Sequence, residues 1–233
     1  MGKLRARKKI RKIHRYLGLF IGIQFIMWTV SGLYFSWTDI DEIHGDHFRQ
    51  EVSKTAFGEL ISPAALDSTL KISSLVLREI NSKPYYWINN SSLYDAQTGY
   101  LKDGITSEEA LNIAALHIKP ELKVAGIEKI EATDAHHEYR EKLLPAYVVS
   151  YEGDDALKAY ISVADGTFQT LRHREWRWFD FLWMTHTMDY EGRDDINNEL
   201  LRIFSVLGLI TVLSGFVLWY ISSPTIRKWS RRK

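Results

Sequence analysis

The chain has 233 residues, 45% of them hydrophobic, and no cysteine. That is too polar for a polytopic channel or transporter, and any exported domain must hold together without disulfides. Near-neutrality conceals a polarised charge pattern: 30 basic residues oppose 29 acidic ones, for a net charge of +1. Eight basic residues lie within residues 1–16 and five within 222–233, with no acid among either group. The intervening chain therefore carries a net charge of about −12 and gives no footing for nucleic-acid binding; the basic ends read as flanks of membrane spans.

From Tyr16 to Trp37 there is no charged residue. Twenty-two helical residues reach about 33 Å, enough to cross a hydrocarbon core. A second uncharged run extends from Ile203 to Ile221. The first run is too long for the apolar core of a signal peptide and lacks a clean small-residue cleavage site, so it reads as an uncleaved anchor. Both basic clusters adjoin a span, which places 1–15 and 222–233 in the cytoplasm. The spans then cover 16–37 and 203–221, and the segment between them is extracytoplasmic. Trp37 fits the outer interface as an anchor, and Trp219 and Trp229 fit the inner one.

Between the spans, Ser62-Pro63 predicts a helix start and a helix over 63–80. Tyr85–Ile88 and Ser92–Tyr94 read as strands, with turn signals at Asn89-Asn90 and Gln97-Thr98-Gly99. Thr106 and Glu109 match a capping box and open a helix over 107–118. Strands follow over 122–132, 145–152 and 157–164, and 168–171 pairs back after Ala164-Asp165-Gly166. The expected fold is α+β: two transmembrane helices flanking a domain, 38–173, of two helix-plus-antiparallel-sheet units, 61–101 and 106–171. Residues 174–190 read as an amphipathic helix at the outer interface, anchored by Trp176, Trp178 and Trp183. Trp176, Phe179 and Trp183 share one face of it, with His186 a turn further on.

Three stretches resemble the PepSY-associated transmembrane proteins of bacterial inner membranes. The first is Arg11-Lys12-Ile13-His14-Arg15-Tyr16-Leu17-Gly18-Leu19 with Thr29-Val30-Ser31-Gly32-Leu33. The second is the doubled domain with its Asp95–Gly99 and Ala164–Gly166 turns. The third is His186 followed by a span containing Leu213-Ser214-Gly215-Phe216-Val217-Leu218-Trp219. The resemblance implies two PepSY-like units facing the periplasm. Better-known relatives are four-span proteins linked to siderophore iron uptake, some carrying two haems for ferric reduction. It therefore marks His14, at the cytoplasmic mouth of the first span, and His186 as haem b ligands. These two lie toward opposite membrane faces and cannot grip one iron between them. A bis-histidine site needs a homodimer or a partner subunit, and Gly18-x-x-x-Gly22 permits close helix approach.

Other candidates are weaker in chemistry. His44 and His47 in an acidic collar, Asp39–His47, have metal-ligand spacing, although Gly45 between them opposes a firm helix. His136-His137 lies in a polar loop. Gln24, Thr29 and Ser31 can hydrogen-bond across helices or back to helix carbonyls. No nucleophile elbow, H-E-x-x-H motif or phosphate-binding glycine pattern occurs. Two functions remain open. One is a non-catalytic accessory or interaction subunit whose domain binds a periplasmic protein, a siderophore ligand or a larger membrane complex. The other is a haem-carrying electron-transfer protein supporting reduction of ferric or siderophore iron.

Overall fold

A computed structural model describes residues 2–53, 55–66 and 69–223. The basic segment 224–233, with Trp229, lies outside the described residues. The chain divides into two compact units: residues 1–38 with 180–233, and residues 39–179.

The first unit is helical. Helix α1 runs Gly2–Trp37, longer than the uncharged run because the basic flank Arg7–Arg15 continues it. The other long helix, α5, runs Glu199–Ser222, N-capped by the Asn198 side chain, which accepts from the Leu201 amide at 2.8 Å. Both are long and apolar enough to cross a membrane. They pack along each other. Phe20 faces Phe204 with ring centroids 5.4 Å apart, and the Arg7 guanidinium donates to the Ile221 carbonyl at 3.0 Å, offsetting the negative pole of the α5 C-terminus. At Gly208 a side chain would meet the Phe25 ring at 3.0 Å, so glycine sets how closely the two helices approach.

The second unit is α+β. Short helix α2 (Ile40–His44) is N-capped by Asp39 and stops at Gly45, which adopts left-handed φ of +81°. Strands β1 (Leu75–Ile80), β2 (Lys83–Ile88), β3 (Ser92–Asp95) and β4 (Leu101–Lys102) form one antiparallel meander. Helix α3 (Ser107–His117) follows, with the predicted capping box intact: the Glu109 amide donates to Thr106 and the Thr106 amide donates to Glu109. A second meander comprises β5 (Val124–Ile130), β6 (Ala146–Tyr151), β7 (Lys158–Ser162) and β8 (Phe168–Arg172). One core is shared: Ile80, Trp87 and Leu93 from the first sheet, Ile113 from α3, and Val149, Ile161 and Leu171 from the second. Helix α4 (Arg174–Thr187) begins in this unit and ends in the helical one.

One expectation is corrected. The helix expected over 63–80 is a single 3-10 turn at Pro63–Ala65, followed by strand β1. Ser62-Pro63 does start a turn, but Asn81 and Ser82 take positive φ and fold Leu75–Ile80 back onto β2. Strand pairing along six residues outweighs the local helical signal. The first sheet therefore has no α-helix of its own among the described residues, and α3 serves the common core.

Candidate functional site

The helical unit places the two singled-out histidines at its helix–helix contacts. His14 on α1 faces α5, its Nδ1 2.7 Å from the Ser214 hydroxyl. Ser214 lies eight residues before the last residue of α5, Ser222, or about 12 Å inside it. His14 is thus beside the body of the second long helix. Gly215 makes the room: a Cβ there would come within 3.2 Å of the imidazole Cε1. Next to this glycine a groove of about 460 Å³ opens along α5, lined by Val212, Gly215, Phe216 and Trp219.

His186 sits on the last turn of α4. Its Nδ1 is 2.7 Å from the Ser31 hydroxyl on α1, and its ring meets Phe35 edge-on at 5.6 Å. Three further contacts fix this end of the helix. The Gln24 amide donates to the Thr185 carbonyl at 3.1 Å, the Trp28 indole donates to the His186 carbonyl at 2.8 Å, and Trp183 packs on Phe35. Those two carbonyls have no intrahelical partner at a helix C-terminus, and α1 side chains supply one. The end of α4 is therefore joined to the uncharged stretch of α1. It terminates at Thr187, three residues before the expected limit. Met188 there takes a φ of +56°, and the Asp189 carboxylate accepts the amides of Glu191, Gly192 and Asp195. Burial pushes the Asp189 carboxyl up, but these amides outweigh it and hold it below the usual carboxylate range.

Both imidazoles share one arrangement. Nδ1 meets a serine hydroxyl, and no partner for Nε2 occurs among the described residues. Both serines precede a glycine, at Ser31-Gly32 and Ser214-Gly215. A neutral imidazole with one nitrogen engaged and the other carrying a lone pair is what haem iron takes as an axial ligand. The donor type and the apolar surroundings thus fit the group. From His14 to Ser31 along α1 is about 26 Å, so each level offers a single imidazole.

The remaining candidates are dispersed. His44 ends α2 and His47 lies beyond Gly45; both are exposed, and His47 packs on Phe48 and against the buried His173. Burial lowers the His173 imidazole, although its bond to the Ile43 carbonyl opposes this. Among the described residues no group of three or more His, Asp or Glu side chains is placed to hold a metal. His136 and His137 lie in a turn, where His137 Nδ1 accepts the Tyr139 amide. Trp37, Trp178 and Trp219 are exposed. Trp176 is half-buried, with the Arg172 guanidinium stacked 3.9 Å above its ring. Of the polar residues in the first span, Thr29 bonds back to the Phe25 carbonyl and Gln24 and Ser31 reach α4. Sequence reasoning missed Ser214 as the partner of His14; the signal available was the Ser-Gly pair repeated in both spans.

These features define an integral membrane protein whose two apolar helices flank an α+β domain in the chain. It belongs to the family described as the PepSY-associated TM region, whose model matches residues 11–233. No curated protein and no solved structure matches the chain.

Proposed function

We propose that this protein is a haem b-binding electron-transfer protein of the bacterial inner membrane that supports reduction of ferric or siderophore-bound iron. The observation that carries the proposal is the pair of inward-facing imidazoles, one at each level of the helical unit, each held through Nδ1 with Nε2 unengaged. Haem, when bound, supplies the one-electron couple. His14 and His186 would hold it through Nε2, and Ser214 and Ser31 would orient them. The residues lining the groove beside Gly215 exclude water from the inner site. Phe35 and Trp183 do so at the outer one. One chain offers one imidazole per level, so a second copy or a partner subunit completes each site. The charge pattern supports an orientation with both basic ends in the cytoplasm and residues 39–179 in the periplasm.

A second reading, a non-catalytic accessory subunit acting through the α+β domain, draws on the exposure of Tyr100 and Leu101 at edge strand β4. Anaerobic reoxidation distinguishes the two. Haem-loaded protein, reduced with dithionite and freed of excess reductant, is mixed with a ferric hydroxamate chelate. Reoxidation coupled to ferrous iron formation, slowed at least tenfold in His186→Ala, supports electron transfer. Protein that takes up no haem, or whose reduced haem ignores the chelate, returns the accessory reading.

A further inference from the structure

The hydrogen bonds around Ser214 and Ser31 contain more than two side-chain contacts. The Ser214 hydroxyl lies 2.7 Å from the Thr211 carbonyl as well as 2.7 Å from His14 Nδ1. The Ser31 hydroxyl lies 2.7 Å from the Met27 carbonyl, 3.2 Å from that of Trp28 and 2.7 Å from His186 Nδ1. A carbonyl has no proton to give, so an oxygen–oxygen approach of 2.7 Å requires the hydroxyl proton to lie between them. Serine has only one such proton. Its remaining close contact, to the imidazole, must then be made with a proton that the imidazole provides.

We infer that Ser214 and Ser31 are positioning residues that fix His14 and His186 as the Nδ1-protonated tautomer, leaving the Nε2 lone pair directed away from the serine. The free histidine side chain favours the opposite tautomer, with its proton on Nε2, so the serines act against intrinsic preference. The same device serves both levels through different elements: α5 holds a histidine of α1, and α1 holds a histidine of α4. At the inner level Gly215 completes it, since a Cβ there would press on the imidazole Cε1 at 3.2 Å. A ligating histidine generally donates its other N–H to an acceptor that sets ring orientation and basicity. Here that acceptor is a helix-anchored hydroxyl, neutral and short, with little rotational freedom once its proton is committed to the backbone. The consequence for iron rests on the haem reading above; the tautomer does not.

The test therefore begins without haem. Full-length protein, labelled with ¹⁵N at histidine and prepared haem-free in detergent, is examined by long-range ¹H–¹⁵N correlation at neutral pH. The expected result is the Nδ1–H pattern at His14 and His186, alongside His117, whose Nδ1 donates to the Ile113 carbonyl at 2.9 Å. Ser214→Ala moves only the first to the Nε2–H pattern and Ser31→Ala only the second, while Ser214→Thr, which keeps the hydroxyl, restores the first. Either histidine found as Nε2–H in the unmutated protein overturns the inference for that site, independent of whether any variant folds. Haem titration is the second arm: each alanine variant should lose about 10- to 100-fold in affinity at its own level. Correct tautomers with no haem uptake would sink the proposed function and leave the serine assignment standing; unchanged haem affinity in both alanine variants would overturn their positioning role.

Discussion

Glu138 is the most consequential charge in the α+β domain. Its carboxylate accepts Arg177 Nε at 2.6 Å and Nη2 at 3.1 Å, together with the Tyr160 hydroxyl at 2.6 Å, and Lys158 approaches to 3.8 Å. Its own carbonyl accepts Arg172 at 2.8 Å. Burial pushes this carboxyl up, but the Arg177 and Tyr160 hydrogen bonds win and hold it below the usual value of 4.5. Glu138→Ala would strand a guanidinium and a buried phenol that stacks on Tyr139 at 4.6 Å. Removing one partner of a buried pair costs about 3–5 kcal/mol, and because Arg177 keeps a third of its side-chain surface, about 3 kcal/mol is expected. That corresponds to a fall in melting temperature of about 6–12 °C. The assay is near-UV circular dichroism of the full-length protein in detergent, heated at pH 7 and again at acid pH. A carboxylate with a depressed folded pKa contributes stability above its unfolded value and loses it as pH falls through the folded one. The gap between wild type and variant should thus narrow below about pH 4.5. A gap under about 1 kcal/mol at pH 7, or one that does not change with pH, would refute the reasoning.

Three other outcomes follow from the packing. Thr106→Ala removes half of the capping box on α3 and should cost about 1 kcal/mol by the same measurement, with Thr106→Ser nearly silent. Gly208→Leu drives a side chain into Phe25 where only 3.0 Å is free, so α1 and α5 must separate; a loss of about 1–3 kcal/mol and new protease sensitivity in the helical unit would report it. Asp189→Ala leaves the amides of Glu191, Gly192 and Asp195 without their acceptor and should make the 188–198 connection exchange amide hydrogen faster than wild type, while exchange in the second sheet is unchanged.

Local chemistry makes much of this structure legible in the sequence. The two uncharged runs, the capping box at Thr106 and the strands around Tyr85–Ile88, 145–152 and 157–164 each depend on neighbours in sequence, and each is present. Strand β1 was not legible, because Leu-Val-Leu-Arg-Glu-Ile suits a helix or a strand about equally. What decides it is the turn at Asn81-Ser82 and a partner strand, neither of which the apolar pattern displays. The histidines were found through resemblance, not through spacing. Their serine partners are 200 and 155 residues away in the chain, and only the register of α5 and α4 against α1 brings them together. The ring of Trp183 packs on Phe35, a partner 148 residues away that an aromatic stripe in sequence does not name.

Haem content of the purified full-length chain, expressed with haem supplied and read as Soret absorbance per chain, tests the central proposal most directly. The account predicts a stoichiometric band in the wild type, about half of it in either His14→Ala or His186→Ala because each level binds separately, and none in the double variant. A wild-type chain without a Soret band, or a double variant that retains the full one, would contradict it.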